Sequence, residues 1–158
     1  MMSKRLSYLT WDQYFMSVAK VSALRSKDPN TQVGACIVND RQQIIATGYN
    51  GLPRLLDDDN YPWARTGKFL ETKYPYIVHA ELNAILSATV KLENSVIYVS
   101  LFPCNECAKA IIQSGIQTII YEEDKYENTE NNIAAKRMLG DANVVLKKLA
   151  FSEITIKV

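Results

Sequence analysis

Apolar residues recur along this chain with two periods, and the periods change in a regular order. Near the start, Trp11, Tyr14, Phe15, Val18 and Val21 fall at helical spacing, which predicts a helix with those side chains toward the core. Thr10 opens it, because Thr10 and Gln13 stand at the spacing of a capping box. The helix should close near Arg25-Ser26-Lys27-Asp28, since Pro29 disfavours helical backbone at Asp28. Two apolar runs follow, 33–38 and 44–49, joined by Asn39-Asp40-Arg41-Gln42-Gln43, and they read as a β-hairpin. Residues 52–76 show no clear period. Three prolines, Gly67 and the run Asp57-Asp58-Asp59 mark a long loop, and loops of that length inside a compact domain are usually functional or mobile.

The second half alternates. A helix is predicted over 79–90 with Leu82, Ile85 and Leu86 on its apolar face, then a strand over 95–101. A helix beginning at Cys104 puts Ala108, Ile111 and Ile112 inward and is capped by Gly115. A strand over 118–121 leads to a helix from Asn128 or Thr129 to Leu139, stopped by Gly140. Residues 144–146 read as a last core strand. Residues 151–158 alternate apolar and polar positions, as an edge strand or a segment pairing with another subunit would. Strand–helix–strand crossovers make the last three strands parallel. The expected fold is therefore α/β in three layers, a five-stranded mixed sheet with helices on both faces.

Composition narrows the classes. A chain of 158 residues, 47% hydrophobic and 22% charged, fits one domain over 1–158 with a real core. A formal net charge of +1 argues against a broad nucleic-acid-binding surface. No apolar stretch follows Met1-Met2-Ser3-Lys4-Arg5, so no signal peptide is expected, and no run approaches the ~20 residues needed to cross a bilayer. Three cysteines, two of them at metal-binding spacing, suit a reducing cytoplasm.

The candidate chemistry lies in two short stretches. His79 is the only histidine, and Cys104 and Cys107 form a C-x-x-C pair after Pro103. One nitrogen and two thiolates suit zinc, and three protein ligands leave a fourth position open, as catalytic sites require. Glu81 follows the histidine by two residues, where it can handle the protons of an activated water. H-x-E followed by P-C-x-x-C is the signature of zinc-dependent nucleobase deaminases. The competing reading is a structural site completed by Cys36, although Cys36 sits in an apolar run where a free cysteine acts as a small buried hydrophobe. His79, Cys104 and Cys107 all fall at predicted helix starts, whose partial positive charge favours thiolates.

Other stretches stay open on residue types alone. Arg25, Ser26 and Lys27 can hold a phosphate or can be a solvated helix end. Asn50, between Gly48-Tyr49 and Gly51, can read a ligand or make the turn. Asp57-Asp58-Asp59 reads first as solvated surface, with a divalent cation carried by a nucleotide as the alternative.

Several blocks together resemble the deoxycytidylate (dCMP) deaminases of the cytidine deaminase superfamily. They are Arg25 through Val38, Gly48-Tyr49-Asn50-Gly51-Leu52-Pro53, Thr72-Lys73-Tyr74-Pro75-Tyr76, His79 through Ile85, Leu101 through Lys109, and Asp124-Lys125-Tyr126. The similarity runs over about 4–148. The zinc motif alone would indicate only the superfamily, and the other blocks narrow it. The resemblance implies conversion of dCMP to dUMP and ammonia, supplying thymidylate synthesis. It assigns a zinc to His79, Cys104 and Cys107, with Glu81 catalytic. Some relatives carry a second, structural zinc in the long loop, but this chain has no spare histidine and no loop cysteine, so one zinc per chain is expected. It places substrate contacts at Arg25, Ser26, Lys27, Asn30, Ala80, Lys125 and Tyr126, and effector or sugar contacts at Gly48, Tyr49, Asn50 and Gly51. It also implies a homohexamer, activation by dCTP with Mg2+, and inhibition by dTTP, with neither nucleic acid nor membrane as partner. The rival readings are a deaminase accepting both dCMP and dCTP, a cytidine or tRNA deaminase of the same superfamily, a competence-related protein of the same fold, and a zinc-stabilised binding module without catalysis.

Overall fold

The computed structural model describes residues 2–150, so the alternating segment 151–158 lies outside the described residues. Helix α1 (Trp11–Ala23) is followed by the hairpin β1 (Gly34–Val38) and β2 (Ile44–Tyr49). A long connection holding two single 3-10 turns leads to α2 (Ala80–Ser87). Then β3 (Val96–Leu101), α3 (Asn105–Gln113), β4 (Thr118–Glu123), α4 (Glu130–Asp141) and β5 (Val145–Lys148) alternate. The strands form one sheet in the order β2-β1-β3-β4-β5. β1 is antiparallel to both neighbours, and β3, β4 and β5 are parallel, as the crossovers predict.

Strand alternation sends successive side chains to opposite faces. Ala35, Ile37, Ile97, Val99 and Ile119 pack with Ala80 and Ala84 of α2, Ala108 and Ile111 of α3, and Ala135 and Leu139 of α4. Cys36, Val38, Tyr98 and Ile120 pack with Phe15, Met16 and Ala19 of α1. Helices thus cover both faces, three on one side and one on the other. No helix among the described residues is long and apolar enough to cross a membrane.

The capping box at Thr10 forms, with Gln13 N–H donating to Thr10 Oγ1 at 3.2 Å and Thr10 N–H to Gln13 Oε1 at 2.9 Å. The buried face of α1 differs from the predicted stripe. Phe15, Met16, Ala19 and Ala23 are buried, whereas Trp11, Tyr14 and Val21 are exposed. The reason lies in β1. A Cβ on Gly34 would stand 1.8 Å from the Ala19 carbonyl oxygen, so the helix backbone occupies that space and small residues face the sheet. The same device works on the other face. A Cβ on Gly48 would meet the Ala80 carbonyl oxygen at 2.2 Å and the Ala84 nitrogen at 2.5 Å. Ala80 and Ala84 are accordingly buried and Leu86, predicted inward, is exposed. Gly48→Ala should therefore push α2 off the sheet. We expect a cost of about 1–3 kcal/mol, typical of overpacking, read as a lower urea midpoint.

Three boundaries also differ. α1 ends at Ala23 and α2 at Ser87, each earlier than predicted. Gly140 lies inside α4, and the helix ends at Asp141 with Ala142 as its C-cap and Asn143 following at φ 55°. β5 is an exposed edge rather than a core strand, with Val145 58% accessible. Its apolar residues mimic a buried run, but the sheet ends there among the described residues.

Candidate active site

The C-terminal ends of β2 and β3 point the same way, and two helices start beside them. Val78 and Gly51 exchange backbone hydrogen bonds beyond the end of β2, at 2.8 and 3.0 Å, which fixes the entry to α2. His79 is the N-cap of α2, and Asn83 Nδ2 donates to the Tyr49 carbonyl at 2.8 Å, tying this first turn to β2. Phe102-Pro103 leads from β3 to Cys104, the N-cap of α3, with Cys107 in its first turn. The two helix starts therefore bring together residues 25 and 28 positions apart.

His79 Nδ1 lies 3.4 Å from Cys104 Sγ and 3.5 Å from Cys107 Sγ, and the three ligand atoms all lie within 4.8 Å of one another. Zn–N and Zn–S bonds of ~2.05 and ~2.3 Å at a tetrahedral angle give an edge of about 3.5 Å. The observed N–S separations are that edge, so the donor set fits a tetrahedral zinc with one position left over. A hydrogen bond from Cys107 and the neighbouring imidazole hold the Cys104 thiol down to about 4, and the same S–H bond pushes Cys107 up. The hydrogen bond with Cys104 raises His79. A metal ion entering the cluster finds the Cys104 thiolate already favoured. Cys36 is not part of the cluster. It is fully buried on the α1 face of the sheet, and burial pushes its thiol up to about 12. That removes the four-ligand structural reading.

Glu81 lies in the first turn of α2, is 3% exposed, and lines the same cavity as His79 and Cys104. Burial pushes its carboxyl up from 4.5 to about 7, which the His79 charge opposes only in part. A carboxyl poised there can both take and give a proton at neutral pH.

The cavity has a volume of about 460 Å³, within the range of small-molecule sites. The matching family model is the cytidine and deoxycytidylate deaminase zinc-binding region, over residues 9–123. The deoxycytidylate deaminase of Homo sapiens is 52% identical over 147 residues, covering 92% of this chain and 83% of that protein. The deoxycytidylate deaminase of Mus musculus is 50% identical, covering 97% and 88%. This chain belongs to the deoxycytidylate deaminase family. The fold agrees with the solved structure of a dCMP deaminase from the cyanophage S-TIM5 in complex with dCMP and dUMP. That structure has a TM-score of 0.68 at 24% identity and covers 86% of this chain and 94% of the other.

For a deoxycytidylate deaminase family member, the cavity wall is where substrate contacts belong. Of the residues predicted from sequence, Ala80, Asn50 and Tyr126 line it beside His79, Cys104 and Glu81. Arg25, Ser26, Lys27, Asn30, Lys125, Gly48, Tyr49 and Gly51 do not line it, and most have other partners. The Arg25 guanidinium lies 5.9 Å from the centre of the Tyr49 ring. Ser26 Oγ donates to the Asn50 carbonyl at 2.8 Å, and Lys27 pairs with Asp58. Asn30 Nδ2 donates to the Trp63 carbonyl at 3.3 Å. The Lys125 ammonium lies 5.7 Å from the Tyr126 ring centre. Gly48 is occupied by helix packing and Gly51 by its bridge to Val78. Asn50 is a brace as well as a wall, since its Oδ1 accepts from Val33 N–H at 2.8 Å and its Nδ2 donates to the Thr31 carbonyl at 2.9 Å. Asp58, in the run read as solvated surface, is the partner of Lys27.

The wall also holds residues that sequence reasoning gave no role. Asp28 and Lys73 form a buried ion pair, 2% and 7% exposed. Burial alone would raise the Asp28 carboxyl. Lys73 and the N–H groups of Asn30 and Thr31 outweigh it and hold the carboxyl below its ordinary value. Arg65 and Tyr74 stand on the same wall. Lys73 and Tyr74 fall inside a block that carried the resemblance, but nothing local links Lys73 to Asp28, 45 positions away.

Proposed function

We propose that this protein is a zinc-dependent deoxycytidylate deaminase, converting dCMP to dUMP and ammonia. The observation that carries the reading is the His79–Cys104–Cys107 cluster at tetrahedral edge distances with buried Glu81 beside it. Zinc, one per chain, would be held by those three side chains. When bound, it supplies the Lewis acidity that lowers the pKa of water from 15.7 towards about 7. Glu81 takes a proton from the attacking water, holds it in its buried carboxyl, and delivers protons to the ring nitrogen and then to the departing amine. Ala80, next to His79 in the chain, and Tyr126 both line the cavity that would hold the nucleotide. A module without catalysis would have no use for a carboxyl raised to about 7 beside an open ligand position.

The same proposal includes assembly and regulation. The chain forms a homohexamer in the cytoplasm, dCTP with Mg2+ activates it, and dTTP inhibits it. Trp11 and Tyr14 on α1, Leu24 at its C-cap and Leu86 on α2 are exposed in the single chain, which supports burial between copies. The Arg25–Tyr49 pair lies outside the cavity, which suits an effector rather than the substrate. Metal analysis tests the chemistry. We expect one zinc per chain, turnover of dCMP lost on chelation and restored by zinc. Two zincs per chain, or activity that survives complete removal, would contradict it.

A further inference from the structure

The cavity wall contains two cations, and only one of them is available. Lys73 is buried and its ammonium is committed to Asp28. Arg65 is exposed and, among the described residues, pairs with no carboxylate. Its one hydrogen bond runs from Nε to the Tyr74 hydroxyl at 3.4 Å, which leaves the two terminal nitrogens of the fork without a protein acceptor. Arg25, Lys27 and Lys125 are turned to other partners and do not line the cavity. Of the anions on the wall, Asp28 is neutralised by Lys73 and Glu106 is paired with Lys109, while Glu81 sits at the cluster. The cavity is thus acidic and metal-binding at the cluster and carries an uncompensated guanidinium elsewhere on its wall.

The backbone around Arg65 is held in place. Lys73 N–H donates to the Ala64 carbonyl at 3.0 Å, next to Arg65 in the chain. Trp63 accepts from Asn30 through its carbonyl and donates through Nε1 to the Asp58 carbonyl at 3.1 Å. The buried Lys73–Asp28 pair anchors the returning end of the loop. A loop fixed on both sides can present a guanidinium at a set place, and a planar fork with free terminal N–H groups matches two oxygens of a phosphate.

We propose that Arg65 is the specificity residue that recognises the 5′-phosphate of a nucleoside monophosphate whose base lies at His79, Cys104 and Glu81. The Tyr74 and Tyr126 side chains on the same wall flank that phosphate. The assignment rests on the deaminase reading of the site and adds to it the basis for preferring dCMP to deoxycytidine. It also moves phosphate recognition from the Arg25–Lys27 helix end to the long loop.

Binding and turnover separate the two ideas. Zinc-loaded wild type, Arg65→Gln and Arg65→Lys are titrated calorimetrically with dCMP, deoxycytidine and inorganic phosphate, and assayed with dCMP. Arg65→Gln should weaken dCMP about 30- to 100-fold, as expected for losing a charge-assisted pair, with the loss appearing in KM more than in kcat. Deoxycytidine affinity should change less than threefold, inorganic phosphate should cease to compete with dCMP, and Arg65→Lys should recover part of the loss. Equal weakening of dCMP and deoxycytidine, or dCMP affinity within threefold of wild type, overturns the assignment. A wild type that binds dCMP through Arg65 but releases no ammonia overturns the deaminase reading and leaves the phosphate site standing.

Discussion

Glu81→Gln should keep its zinc and lose nearly all turnover. The amide matches the carboxyl in shape, so the three ligand side chains and the α2–β2 packing are untouched. It cannot carry a proton between water, ring nitrogen and leaving amine. General acid–base work of this kind is worth roughly 10²–10⁴-fold, so kcat should fall by that factor with zinc content unchanged. A variant retaining a tenth of the wild-type kcat would remove Glu81 from the chemistry. The same substitution should change stability in the opposite sense. Burial raises the Glu81 carboxyl from 4.5 to about 7, so between those values the native state keeps a proton that the unfolded chain has released. That carboxyl therefore costs stability increasingly as pH rises through this window, by about 3 kcal/mol in the zinc-free protein above it. Zinc-free Glu81→Gln should unfold at higher urea than wild type at pH 8, and the advantage should vanish near pH 4.5. Identical midpoints at both pH values would mean the carboxyl is not held protonated by burial.

Lys73→Met should be the most destabilising single change outside the ligands. It leaves the Asp28 carboxylate buried without its cation, a situation that costs about 3–5 kcal/mol. Asp28 lies below its ordinary value in the native state, so its contribution is complete above pH 3.8 and is lost as pH falls through the native value. In Lys73→Met that advantage goes, and the deficit against wild type should be largest at neutral pH and shrink under acid. Adding Asp28→Asn should restore most of the loss, because an amide oxygen still accepts from Asn30 and Thr31 N–H and no buried charge remains. Urea midpoints of the single and double variants at pH 7 and 4.5 check this. A cost under 1 kcal/mol for Lys73→Met would show that the pair opens to water.

These variants also mark where sequence and structure part. The zinc cluster was legible because its residue types are rare and its spacing is local: one histidine, one C-x-x-C pair, and Glu81 two residues along. The parallel half of the sheet followed from helices alternating with strands. The face of α1 did not, because periodicity counts large apolar side chains, while the buried positions are set by Ala19 and Ala23 against Gly34. Neither a glycine nor an alanine announces its neighbour across the sheet. Ala80, Ala84 and Gly48 repeat the lesson under the candidate site. Gly140 does not stop α4 as its residue type suggests, because a glycine is tolerated inside a helix whose stop is Asn143 in left-handed backbone. The basic residues 25–27 form a local cluster in the sequence, yet the cations that line the cavity come from a loop without period, Arg65 and Lys73. Only tertiary contacts between loops, such as Asp28 with Lys73, bring those to the cluster.

The central claim is a reaction on one substrate class, and ammonia release reads it directly. Zinc-loaded protein is incubated with dCMP, dCTP, deoxycytidine and dAMP, each alone and with dCTP·Mg or dTTP. The account predicts ammonia and dUMP from dCMP at a rate that dCTP·Mg raises and dTTP lowers, with deoxycytidine much slower and dAMP inert. No ammonia from dCMP under any of these conditions would contradict it.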